Sequence, residues 1–103
     1  MDDIFYWVYI LACDNGSYYT GYTVDLAKRY KLHLEGKACK YTRSFKPIAL
    51  AQCWKVMGEK KIAMQVERDI KKLSRANKEK IIAEPLALTI DPRIVHVPNI
   101  KFQ

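Results

Sequence analysis

Two runs rich in aromatic and β-branched residues, 5–12 and 18–23, flank the turn-forming sequence Asp14-Asn15-Gly16-Ser17. This restricts the start of the chain to a β-hairpin. Side chains alternate between faces along a strand, so loop parity decides which residues of the two strands lie together. A two-residue turn at Asn15-Gly16 would set Tyr19 opposite Ala12 and leave Tyr9 on the other side of the sheet. A three-residue loop over 14–16 instead sets Tyr19 opposite Leu11 and Tyr9 opposite Gly21, with all four on one face and Gly16 suited to a left-handed conformation.

Leu26, Tyr30 and Leu34 recur four apart after Asp25, a fitting N-cap, and before Gly36, so the spacing predicts a helix over 26–35. Residues 36–47 are basic and loop-like. Residues 48–56 give a third strand whose blurred alternation suggests burial on both faces. Over 59–73, Ile62, Val66, Ile70 and Leu73 have helical spacing. Ser74 can cap a short helix over 75–83, which Pro85 helps to stop. The order β-β-α-β-α-α predicts an α+β fold, a small three-stranded antiparallel sheet flanked by helices. With 103 residues, half of them apolar, one core is expected, in a domain spanning 1–83. Residues 84–103 hold three of the four prolines and are expected to run extended, along the domain or against a second copy, without forming a separate domain.

Charge is unevenly distributed. Residues 1–25 carry four acids and no bases, residues 26–83 carry sixteen bases against five acids, and residues 84–103 carry two of each. A positive excess confined to the middle of the chain suits a polyanion, with nucleic acid the leading partner; a lysine surface kept for solubility is the plainer alternative. No run approaches the roughly 18 uncharged apolar residues of a membrane span, and the start Met1-Asp2-Asp3 lacks the basic residues of a signal peptide. A soluble, cytoplasmic protein is expected. Cys13, Cys39 and Cys53 are too widely spaced for a CxxC zinc site and odd in number, so they are expected to stay reduced, with Cys53 in the core.

The sequence has no GxSxG, HExxH or Walker loop, and no acidic cluster able to hold two metals. The polar residues that stand out are Tyr9 and Tyr19 in strands, Arg29 and His33 on one face of the first helix, and Glu67 beside the apolar stripe of the second. Taken singly, each has an ordinary explanation: strand aromatics pack on neighbours, an Arg/His pair decorates a surface, and a lone Glu pairs with a base.

Taken together, they follow a known order. The sequence resembles the GIY-YIG nuclease superfamily, particularly its short single-domain bacterial branch. The first motif stands as Trp7-Val8-Tyr9 and the second as Tyr19-Thr20-Gly21; Arg29 and His33 lie within 25–33, and Glu67 lies within the run 66–75. Lys40-Tyr41-Thr42-Arg43, before Pro47, resembles the basic loop of the branch. The resemblance runs from about residue 5 to 82. Trp7 and Val8 depart from the Gly-Ile of the first motif, Thr20 from the isoleucine of the second, and Tyr22 stands where some relatives carry a lysine.

The resemblance implies a metal-dependent DNA endonuclease with Tyr9, Tyr19, Arg29, His33 and Glu67 as catalytic residues and Gly21 in a structural role. Glu67 would hold one largely hydrated Mg²⁺ or Mn²⁺, and Arg29 would hydrogen-bond the phosphate. The base that takes a proton from water is Tyr9 or Tyr19, with a lean to Tyr19 beside Gly21, where the backbone can approach closely. A shared tyrosine site requires the odd hairpin loop, or a bulge with the same effect. Lys28, Lys37, Lys40, Arg43, Lys46, Lys71 and Lys72 flank the motifs and are candidates to position a DNA backbone, with RNA a further possibility. A homodimer or a protein partner is expected to supply specificity. The alternative is a nucleic-acid-binding module on the same fold without turnover.

Overall fold

A computed structural model of the chain describes residues 4–98 and 100. The hairpin is formed by β1 (Phe5–Cys13) and β2 (Tyr18–Thr23). There follow α1 (Leu26–Leu34), α2 (Lys40–Ser44), β3 (Pro47–Met57), α3 (Lys60–Lys71), α4 (Arg75–Ala83), a 3-10 helix (Pro85–Ile90) and β4 (Ile94–His96). The strands form one antiparallel sheet in the order β2-β1-β3-β4, which leaves β2 at one edge.

The hairpin has the odd loop. Cys13 N–H donates to the Ser17 carbonyl at 2.9 Å and Gly16 N–H to the Cys13 carbonyl at 3.0 Å, with Gly16 at φ 82°. Tyr9 therefore lies opposite Gly21 and Leu11 opposite Tyr19. The left-handed conformation that closes this loop carries no Cβ penalty in glycine.

Each face of the sheet packs a different helix set. Val8, Ile10, Trp54 and Val56 pack with Ala63, Val66 and Ile70 of α3 and Ile81 of α4. Tyr9, Leu11 and Cys53 face the other way and pack with Leu26 of α1. Asp25 caps α1 by accepting from Lys28 N–H, and Ser74 caps α4 by accepting from Asn77 N–H.

Three sequence expectations need correction. The tail expected to run extended over 84–103 turns first through the 3-10 helix Pro85–Ile90. The sheet has four strands rather than three, because Ile94–His96 pairs with Trp54, Lys55 and Val56 and covers an edge of β3 that would otherwise stand open. The loop expected over 36–47 contains α2, anchored by the fully buried Thr42. Among the described residues no helix is long and apolar enough to cross a membrane.

Candidate active site

Tyr9 is almost wholly buried, and its phenol lies over Gly21 of the edge strand. A Cβ at Gly21 would stand 2.5 Å from the Tyr9 hydroxyl oxygen, 2.7 Å from Cζ and 3.2 Å from a Tyr19 ring carbon. Only a residue without a side chain leaves room for both rings.

Behind Tyr9 runs a chain of buried polar groups. The Tyr9 hydroxyl lies 2.8 Å from His33 Nε2, and His33 Nδ1 lies 2.7 Å from Thr42 Oγ1. His33 and Thr42 are both 0% exposed. Thr42 Oγ1 in turn lies 3.4 Å from Cys39 Sγ. Burial, aided by the Arg29 cation, pushes His33 down to about 4, so the ring is neutral near pH 7, with one nitrogen donating and the other accepting. Burial pushes Tyr9 up to about 12, with the Arg29 guanidinium beside it acting in the opposite sense. Tyr19 is raised by burial and by its hydrogen bond to Cys39. Burial also acts to raise the Cys39 thiol, but hydrogen bonds led by that of the Thr42 hydroxyl, and including the Tyr19 hydroxyl, hold it below its usual range.

Tyr9, Tyr19, Gly21, Arg29 and Glu67 line one concavity of about 420 Å³, with Tyr6, Tyr22, Thr23, Val24 and Lys60 completing its wall. Tyr9 and Tyr19 belong to one face of the sheet and Tyr6 and Tyr22 to the other, so the hollow straddles the β2 edge. There α1 delivers Arg29 from one side and α3 delivers Glu67 from the other. Of the five residues singled out in the sequence, four meet here; His33 lies behind Tyr9 instead of on the surface. Arg29 Nε is buried without a hydrogen-bond partner among the described residues. An unpaired buried donor is costly, and the same Arg29 side chain lines the hollow. A groove of similar volume between α3 and the C-terminal segment is mostly apolar and contains none of these five.

The Glu67 side chain is 16% exposed and pairs with Lys71 at 3.5 Å. Among the described residues no three His, Cys, Asp or Glu side chains come together. The donor set in the hollow is thus a single hard carboxylate, which fits a largely hydrated Mg²⁺ or Mn²⁺ and not a tetrahedral zinc site.

Lys28, Lys37, Lys40, Arg43, Lys46, Lys71 and Lys72 are all exposed, and Lys71 is tied to the site through Glu67. Sequence reasoning did not single out Lys60, Thr42 or Cys39 as site residues. Lys60 opens α3 and lines the hollow, where nothing in its neighbouring sequence marks it. Thr42 had a local signal, since it lies inside the Lys40-Tyr41-Thr42-Arg43 run, but its contact with His33 spans nine residues of sequence.

Residues 5–80 match the family model of the GIY-YIG catalytic domain. A UPF0213 protein of Halalkalibacterium halodurans, BH0048, is 45% identical over 76% of this chain and 82% of its own length. One from Fusobacterium nucleatum, FN1575, is 38% identical over 95% of each chain. The solution NMR structure of BH0048 superimposes with a TM-score of 0.50 at 44% identity, covering 78% of this chain and 84% of that one. The fold and site thus define a domain of a nuclease superfamily. The chain belongs to the GIY-YIG superfamily, in its UPF0213 branch.

Proposed function

We propose that this protein is a metal-dependent DNA endonuclease that hydrolyses a phosphodiester at the β2 edge. The observation that carries this reading is the meeting of Tyr9, Tyr19, Arg29 and Glu67 in one hollow. Arg29 binds a non-bridging phosphate oxygen and offsets the charge that develops there. Glu67 would hold the Mg²⁺ or Mn²⁺ ion, which when bound supplies positive charge to the phosphate and the leaving oxygen. Lys60 adds a second cation at the rim.

Tyr9 takes the proton from the attacking water. This reverses the sequence-based lean to Tyr19: the Arg29 cation favours the phenolate of both, but it also hydrogen-bonds Tyr9, while the Tyr19 hydroxyl is engaged with Cys39 and raised by it. His33 holds Tyr9 in both protonation states. With hydrogen on Nδ1 it accepts from the phenol and donates to Thr42; with hydrogen on Nε2 it donates to the phenolate while Thr42 donates to Nδ1. DNA as substrate is supported by the concentration of basic residues between 26 and 83.

The test is cleavage of labelled DNA with Mg²⁺ or Mn²⁺ by the wild type, Arg29→Ala and Glu67→Ala, with binding recorded separately in EDTA. Cutting that needs the metal and falls by at least about a hundredfold in both variants is expected. Salt-sensitive binding without cutting on any substrate would reduce the protein to a binding module.

A further inference from the structure

On the α2 side the hollow continues into an aromatic surface that the hydrolytic scheme leaves unused. The ring of Tyr19, itself a lining residue, stacks on Tyr41 with centroids 5.8 Å apart and planes at 26°. Tyr41 in turn meets Phe45 at 5.2 Å and 57°. Tyr41 and Phe45 lie four residues apart, on α2 and at its C-cap, and are 36% and 38% exposed. The Tyr41 hydroxyl hydrogen-bonds Ser17 Oγ, which ties α2 to the hairpin loop. Two neighbouring rings, each more than a third open to water, offer apolar area that folding has left uncovered.

The chemistry around this tier selects its occupant. Between Glu35 and Glu59 the chain carries five bases and no acid, and Lys40, Arg43 and Lys46 of that stretch alternate with Tyr41 and Phe45. An apolar peptide would gain nothing from these cations, whereas a nucleotide presents a flat π face on one side and a phosphate on the other. Bases inside a duplex are stacked on one another and offer only their edges, so the ring faces here suit an unpaired base.

We infer that Tyr41 and Phe45 form a base-stacking subsite next to the phosphate site, and that the preferred substrate carries an unpaired nucleotide there, in a single strand or a single-stranded flap. The inference rests on the nuclease reading, because Tyr19 is what connects the aromatic tier to the phosphate site. It extends that reading by naming the class of DNA.

The test measures binding in EDTA, by fluorescence anisotropy, of a labelled single strand and of the same sequence as a blunt duplex, using the full chain, Phe45→Leu and Phe45→Trp. Phe45→Leu keeps apolar volume but removes the ring, and is expected to weaken single-strand binding about tenfold while leaving duplex binding within about twofold. Phe45→Trp is expected to retain or strengthen it. Equal losses on both DNAs, or no loss in Phe45→Leu and in the double variant Tyr41→Leu/Phe45→Leu, would overturn the subsite while leaving the nuclease reading standing. Failure of the wild type to bind either DNA would overturn both.

Discussion

The two faces of the sheet are built on different chemistry, although they share the same strands. Toward α3 and α4 the buried side chains are Val8, Ile10, Trp54, Val56, Val66, Ile70 and Ile81, an almost wholly apolar set. Toward α1 and α2 the buried set includes Tyr9, His33 and Thr42, bonded in series, beside Leu11, Leu26 and Cys53. Apolar packing gives stability roughly in proportion to area and tolerates repacking. A polar chain in a low-dielectric interior adds less net stability, but each link fixes the orientation of the next, and one missing partner leaves a costly buried group. The first face holds the fold together; the second fixes where a single hydroxyl points.

Substitutions on each face should separate these roles. Ile70→Ala, on the apolar face, should lower stability by about 2–5 kcal/mol in urea unfolding while the cleavage rate per folded molecule stays close to wild type. His33 responds to acid. Its folded pKa of about 4 lies below the ordinary value near 6.5, so its contribution to stability is complete above pH 6.5 and is lost as pH falls toward 4. That loss amounts to roughly 3 kcal/mol between pH 7 and 4, and His33→Gln should flatten the pH dependence of unfolding over that window. Gly21→Ala should cut the cleavage rate by about a hundredfold and also lower the melting temperature, because the new methyl group displaces Tyr9 from its buried bond to His33. Thr42→Val, which keeps the shape but strands His33 Nδ1, should destabilise by about 1–3 kcal/mol, and Thr42→Ser should recover most of it. If Thr42→Val were as stable as wild type, the polar chain would not be holding His33.

The division between what sequence reveals and what it hides follows the same two faces. The hairpin parity was legible because the loop is three residues long and includes a glycine suited to φ 82°. The four-residue spacing of Arg29 and His33 on one helix was legible for the same local reason, as was Glu67 beside the stripe of α3. That His33 would be buried behind Tyr9 was not, since spacing gives the shared helix face but not the depth to which each residue sinks. The position of α2 depends on a bond between Thr42 and a helix nine residues earlier, and its own sequence has too few turns to show a period. Strand β4 has only three residues, and the partner that makes it a strand lies about forty residues upstream in β3, so local pattern offers nothing to distinguish it from an extended tail.

The central claim is that Tyr9, held by His33 on the polar face and set beside Arg29, is the reactive hydroxyl. Single-turnover cleavage of a labelled DNA strand in Mn²⁺ by the wild type, Tyr9→Phe and Tyr19→Phe, followed from pH 6 to pH 9, tests it most directly. The account predicts a wild-type rate that rises with pH, a loss of about a hundredfold or more in Tyr9→Phe with that rise removed, and a smaller loss in Tyr19→Phe with the rise retained. Cleavage by Tyr9→Phe at the wild-type rate, with the same pH dependence, would contradict it.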